Sequence, residues 1–399
     1  MTTEIVRPDL DFALHDLVNL HDILEDLRTQ HGAVVKVNFV GRPVWLINSY
    51  DDVLQALSDE EHLSTPEAYK RSIGKSMGTV MATMTGRQHR LNRAVVAGVF
   101  FPKKMRALSE TVFRDEAKKL VDVIRKRLTA GESLDLMQAY TRTLTFNIIT
   151  RLLGLPVADQ SRLLAWGDAI MASWDLDNAL KARDELTAYI EPILAERIAH
   201  PGEDFLSMLV MARVSNEDTG EEEGLSQDEI FSFIRNLFPA GIDTSSKSMG
   251  SLIAVVLNDA GLQEQALQGG EPLEGIVNEL LRWQPPLAMV PRRCVKEIVL
   301  GGQTLKPGEN VMLGIAGGNS DAREFPEPRR FDPSRQAKIL SFGHGEHYCI
   351  GTHMARRVLE TALVCLLEGI PGLALVKPEV EFVHGVLRGP RDLWVRMPV

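Results

Sequence analysis

Phe342-Gly-His-Gly345-Glu-His347-Tyr-Cys349-Ile-Gly351 stands immediately ahead of the last long helical pattern, which runs from about Thr352 to Leu367. Three glycines surround a lone cysteine where a loop meets a helix start. Glycine permits a tight bend against a flat ligand. Backbone N–H groups at a helix N-terminus favour a thiolate and lower its pKa. A thiolate with amide donors aimed at its sulfur is what a haem iron takes as an axial ligand. A cysteine beside a glycine turn would otherwise read as a buried structural residue; the spacing here points to a ligand.

The surrounding chain sets the frame. It has 399 residues, 44% hydrophobic and 25% charged, a balance that excludes disorder, a collagen-like fibre and a disulfide miniprotein. Its longest apolar runs, such as Leu252 to Leu257, fall far below the ~20 residues that span a bilayer. The start, Met1-Thr-Thr-Glu-Ile-Val-Arg-Pro, lacks a basic segment followed by an apolar core. The expectation is a cytoplasmic protein with no membrane segment. A net charge of −10 disfavours nucleic acid as a partner. Cys294, Cys349 and Cys365 are odd in number and widely spaced, so neither a disulfide framework nor a zinc ribbon is indicated.

Ala33-Val-Val-Lys-Val-Asn-Phe and Pro43-Val-Trp-Leu-Ile predict a hairpin with its turn at Gly41-Arg42. From about Lys103 to Asn258 the apolar spacing is mostly helical, and the acidic stretch Ser215 to Gly224 reads as a solvated connection. Ser226 and Glu229 form a capping-box pair, and Ile230 to Leu257 is apolar on most sides, so a long buried helix is expected there. No repeat or linker divides the chain. The expected architecture is mainly α with a small β region: one domain over 1–399, β-containing at about 30–60, 290–320 and 370–399, helical at about 86–283 and 352–367.

The cysteine segment resembles the haem-ligand loop of the cytochrome P450 family, Phe-x-x-Gly-x-His/Arg-x-Cys-x-Gly. Phe342, Gly345, His347, Cys349 and Gly351 match all five fixed positions. The resemblance implies the triangular-prism fold of that family, with haem b between the long central helix and the cysteine helix. It makes Cys349 the proximal iron ligand, places Phe342 near the sulfur, and has His347 bond a haem propionate. Other segments agree. Taken alone, Glu279-Leu-Leu-Arg282 would be a surface i,i+3 pair worth ~0.3 kcal/mol. In the family this motif locks the segment behind the haem loop together with the meander, here Glu324-Phe-Pro-Glu-Pro-Arg-Arg-Phe-Asp-Pro333; which arginine completes the network stays open. His89, Arg93 and Arg292 match family positions that, with His347, hold the two propionates.

Ala240-Gly241-Ile242-Asp243-Thr244 lies mid-way along the buried helix, after Pro239, which removes a backbone donor and should distort it. Ala240 and Gly241 leave space for a flat ring and a diatomic gas. A mid-helix threonine commonly bonds back to a carbonyl one turn earlier. By resemblance this is the oxygen-activation motif, with Thr244 as hydrogen-bond donor and Asp243 as proton relay. The implied reaction is a monooxygenation consuming dioxygen, with electrons from NAD(P)H through a ferredoxin or flavodoxin and its reductase. Lys103, Lys104, Arg106, Arg356 and Arg357 are candidates for the docking patch. A peroxide-driven peroxygenase, or a haem protein that binds gas without turnover, are the alternatives; the Asp243-Thr244 pair weighs against both. Met77, Met81, Met84, Trp174, Leu237, Leu287, Met289, Val290 and Leu387 are the candidate pocket residues, suiting a hydrophobic small molecule. A monomer is expected.

Overall fold

The computed structural model describes residues 4–172, 175–215, 219–336 and 338–397. Seven helices position the site: α1 (Leu20–His31), α2 (Gly86–Val99), α3 (Thr143–Leu152), α4 (Gln160–Met171), α5 (Gln227–Leu257), α6 (Gly270–Trp283) and α7 (Thr352–Gly369). Helix α5 starts where the capping box predicts. The Glu229 backbone N–H donates to Ser226 Oγ (3.3 Å), and the Ser226 N–H donates to Glu229 Oε2 (2.9 Å). Asn92 Nδ2 adds a bond to Glu229 Oε1 (2.8 Å), which ties α2 to the same point. The helix continues through Pro239, and Ile230, Ile234, Phe238, Ile242, Met249 and Leu252 bury one side of it.

Five strands form one sheet in the order β1-β2-β5-β4-β3: β1 (Val34–Phe39), β2 (Arg42–Ile47), β3 (Leu63–Ser64), β4 (Val290–Cys294) and β5 (Asn310–Leu313). The β1–β2 hairpin turns one residue earlier than the sequence suggests. Val40 and Gly41 carry φ of 52° and 67°, and Arg42 already belongs to β2. A two-residue hairpin whose twist matches its strands needs positive φ at both turn positions. Both faces of the sheet are covered. Val34, Trp45, Ile47, Val311 and Leu313 point into one apolar cluster; Val35, Val37, Val44, Leu46 and Met312 point into another. That is the period-2 alternation of a strand. Short strands at Ala374–Leu375 and Trp394–Arg396 lie where the C-terminal β segments are expected. Val214–Ser215 and Glu222–Glu223 pair in a small hairpin within the acidic connection. Among the described residues, no helix is long and apolar enough to cross a membrane.

Glu279 and Arg282 are not a surface pair. Their exposures are 3% and 1%, and two N–H···O bonds of 2.8 and 2.7 Å join them. Arg282 also donates to the carbonyls of Asn319 (2.8 Å) and Pro328 (2.9 Å). Glu279 accepts from the Asp332 N–H (2.9 Å). The arginine that completes the network is Arg335, whose Nε lies 3.4 Å from Glu279 Oε1; Arg330 instead pairs with Glu327 and Asp332. One buried carboxylate thus collects α6 and the segment leading into the cysteine loop. Removing one partner of a buried ion pair leaves the other charge uncompensated. Glu279→Ala is therefore expected to destabilise the protein by about 3–5 kcal/mol in urea denaturation, whereas a loss under about 0.5 kcal/mol, typical of a surface change, would contradict the network.

Candidate functional site

The loop before α7 is bent by Gly343 and Gly345, with φ of 73° and 70°. A Cβ on Gly345 would also lie 3.2 Å from Leu57 O and Ser58 Cα, so only glycine fits there. Gly351 differs: its φ is −84°, and its backbone N–H faces the Cys349 sulfur. The loop is closed by the Cys349 N–H donating to Phe342 O (2.8 Å) and Thr352 Oγ1 donating to Cys349 O (2.8 Å). Cys294 and Cys365 are buried, whereas Cys349 is exposed. Its thiol nevertheless lies deep enough in protein that burial pushes its pKa up. The Gly351 N–H, the Thr352 hydroxyl and the Arg93 charge pull the other way. A buried sulfur faced by an amide donor suits an iron ligand, because a metal would supply the positive charge that stabilises its thiolate. The Phe342 ring sits 5.2 Å from the Arg356 guanidinium, on the loop side of α7.

Four donors expected to hold an anionic cofactor gather at one place, through contacts the sequence does not reveal. The rings of His89 and His347 are 4.6 Å apart. His347 Nε2 and Arg292 Nε lie 3.8 and 3.7 Å from the same oxygen, Glu60 Oε1. Arg93 Nη2 donates to Tyr348 O (2.6 Å), one residue before the cysteine. His89 Nδ1 lies 3.0 Å from Glu346 Oε1, within ion-pair distance but off hydrogen-bond alignment. His89 Nε2 and Arg292 Nε are buried without a hydrogen-bond partner. The positive field shows in His347, pushed down to about 3 by burial first and then by His89, Arg292 and Arg93. Buried, under-satisfied donors in a positive field fit the two carboxylates of a haem.

On α5, Ala240 is exposed although the helix is mostly buried, so its small side chain borders open space. Gly241 has another task. A Cβ there would lie 2.7 Å from Ile149 Cδ1, so α3 also packs closely against this glycine. Thr244 Oγ1 donates to Ala240 O (2.6 Å), the local back-bond. Asp243 is half-buried, and burial raises its pKa; Arg142 and Lys247 oppose this, and Asp168 adds to it. Arg142 Nη2 donates to Asp168 Oδ1 (2.5 Å), while Arg142 Nε is buried without a partner. A cavity of about 300 Å³ reaches Asp243 and is lined also by Gln138, Arg142, Asp168, Ser246, Lys247 and Leu387.

The candidate pocket residues separate into two groups. Met77 and Met289, each 1% exposed, belong to the apolar cores, and Met84 is buried as well; these methionines are packing. Met81, Leu237, Leu287, Val290 and Leu387 are partly exposed, and Leu287 bridges Leu387 in antiparallel register. Trp174 lies outside the described residues. Of the candidate docking cations, Arg357 pairs with Glu360 and Glu274, Arg356 lies on Phe342, and Lys104 lies over Phe205; Lys103 and Arg106 are exposed. Glu60, Arg142 and Asp168 carry no local motif, and only long-range folding brings them in; Glu346 stands at a variable position of the cysteine loop itself.

The Cytochrome P450 family model matches residues 12–173 and 168–369. A mycinamicin IV hydroxylase/epoxidase from Micromonospora griseorubida is 29% identical, over 88% of this chain and 89% of that protein. A vitamin D(3) 25-hydroxylase from Pseudonocardia autotrophica is 29% identical, over 96% and 93%. The solved structure of the bacillaene polyketide synthase cytochrome P450 PksS from Bacillus subtilis superposes with a TM-score of 0.85 at 25% identity, over 96% and 97% of the two chains.

His347, and His21 packed against Gln284, are both held near 3 against the usual 6.5. Between those values the unfolded chain binds more protons than the native one, so stability rises with pH. The haem-free protein is expected to lose up to about 1.4 kcal/mol per histidine per pH unit as pH falls from 6.5 toward 3. Urea midpoints at pH 7 and pH 5 check this; equal midpoints would contradict it.

Proposed function

The chain belongs to the cytochrome P450 family, and from that premise we propose that it hydroxylates a bulky, ring-containing hydrophobic molecule. The protein is a monooxygenase of the bacterial haem-thiolate type. Bound haem supplies the activation of dioxygen and the attack on a substrate C–H bond. The chain's own residues hold, orient and screen. Cys349 would be the iron ligand, and the observation that carries this role is the Gly351 N–H facing its sulfur at the start of α7. Arg292, His89, Arg93 and His347 hold the propionates; Gly345 and Gly351 shape the loop, and Phe342 screens the sulfur side. Ala240 leaves room on the opposite face.

Proton supply follows from Asp243. A carboxyl with a raised pKa keeps its proton nearer neutrality than an exposed one and so suits a relay. Water in the cavity of about 300 Å³ can deliver a proton to the Asp243 carboxyl. Thr244 Oγ1 donates to Ala240 O at rest, and turning away from that carbonyl would free its proton for donation into the open space beside Ala240. Electrons come from NAD(P)H through a separate ferredoxin or flavodoxin and its reductase. Exposed Lys103 and Arg106, on the helix Pro102–Leu108 that packs against α7, support docking on the cysteine side.

The substrate class rests on the apolar, partly exposed Leu237, Leu287, Val290 and Leu387, and on relatives named for a macrolide and for vitamin D(3). Titrating the ferric protein with cholecalciferol, a macrolide and dodecanoic acid is expected to shift the spin state with a ring-containing compound. With that compound, Thr244→Ala is expected to release more peroxide per NAD(P)H consumed. A shift with the fatty acid alone would overturn the substrate class, and unchanged coupling would overturn the role of Thr244.

A further inference from the structure

Arg388 is 2% exposed and among the largest fully buried side chains. Among the described residues no carboxylate lies within ion-pair distance of it. Its guanidinium donates only to backbone carbonyls: Nη1 to Leu17 O (2.6 Å) and His384 O (3.0 Å), and Nη2 to Val18 O (2.7 Å). Burying a cation without a counter-charge costs several kcal/mol unless its donors are well used. These donors join two distant parts of the chain: the segment ahead of α1, and the C-terminal turn that carries Val386 and Leu387.

The same two parts meet at three further points. Asp16 holds both flanks of the turn, with Oδ1 3.0 Å from His384 Nδ1 and Oδ2 accepting from Arg391 Nη2 (2.8 Å). His384 has a φ of 69°, a left-handed conformation that a non-glycine residue keeps only where its surroundings enforce it. Gly385 packs so closely on the Phe12 carbonyl that a Cβ would overlap it. From the other side, the Arg388 N–H donates to Pro286 O (2.7 Å) and the Ala288 N–H donates to Val386 O (2.8 Å). The turn is clamped between the N-terminal segment and the segment ahead of β4, where Leu387 is partly exposed and bridges Leu287, a second candidate pocket residue.

We propose that Arg388, assisted by Asp16, is a positioning residue for substrate selection, through which residues 12–18 set where Leu387 borders the substrate space. This rests on the reading that Leu387 lines that space. The charge of Arg388 survives its burial: its pKa, lowered to about 10 by burial and by Arg329, keeps it protonated at neutral pH.

The test uses haem-loaded protein and two iron-ligating probes, imidazole and the bulky clotrimazole, with dissociation constants read from the Soret shift. Arg388→Met and Asp16→Ala are each expected to change the ratio of the two constants by about fivefold or more, roughly 1 kcal/mol of discrimination, and Arg388→Lys to recover part of the change. A lowered melting temperature with an unchanged ratio in both variants would reduce Arg388 to a stabilising contact and overturn the proposal. Should Arg388→Met fail to load haem, Asp16→Ala, which removes only partly exposed ion pairs, decides the matter by the same ratio. Leu387→Ala separates the two layers. If it leaves the ratio unchanged, the assignment of Leu387 to the substrate space is wrong and the proposal falls with it; if it alone moves the ratio, Leu387 borders that space but the clamp does not set it, and the proposal is overturned.

Discussion

A cysteine sulfur that is desolvated yet faced by hydrogen-bond donors is poised between two states, and the rest of this molecule is arranged around that balance. Burial favours the neutral thiol, while the Gly351 N–H, the Thr352 hydroxyl and Arg93 favour the thiolate. A bound iron would favour the thiolate by adding positive charge at the sulfur. The same donors would also limit how much electron density the sulfur passes to a metal. Neither effect survives if the loop wanders. Its position is fixed by the left-handed glycines, by the Cys349 N–H bond to Phe342 O, and by the buried Glu279 carboxylate that gathers Arg282, Arg335 and the Asp332 N–H behind it.

The second requirement is a home for two carboxylates. The cleft of His89, His347, Arg93 and Arg292 contains Glu60 and Glu346 as its own acids, and Glu60 also accepts from the N–H of Thr65 (2.7 Å). Burial first, and then the positive charge of its neighbours, hold His347 neutral. An anionic ligand relieves that field, so cofactor binding and the stability of this part of the fold are linked. The Asp243 side is built differently: burial raises the pKa of its carboxyl, and Arg142, Asp168 and Lys247 around the same cavity act on it in opposing directions.

Much of this was legible in the sequence because it is written locally. The cysteine loop, the capping box at Ser226 and Glu229, and the Glu279–Arg282 spacing are each set within a few residues. What stayed hidden depends on chain segments far apart. Arg335 rather than Arg330 completes the Glu279 network, since the path of the meander decides which guanidinium arrives. That Gly241 packs close to Ile149 is likewise set by the neighbouring helix and not by local sequence. Met77 and Met289 looked like pocket lining for the reason methionines often do: an adaptable apolar side chain suits a core and a cavity equally. The chamber around Asp243 joins residues near 142, 168, 243 and 387, and no spacing rule connects them.

The claim on which all of this rests is that Cys349 bonds the haem iron through its sulfur, and the spectrum of the dithionite-reduced protein under carbon monoxide reads that bond directly. The strongly red-shifted Soret band of a thiolate-ligated haem is the predicted result. A band at the shorter wavelength typical of histidine ligation, in freshly purified and fully loaded protein, would contradict it.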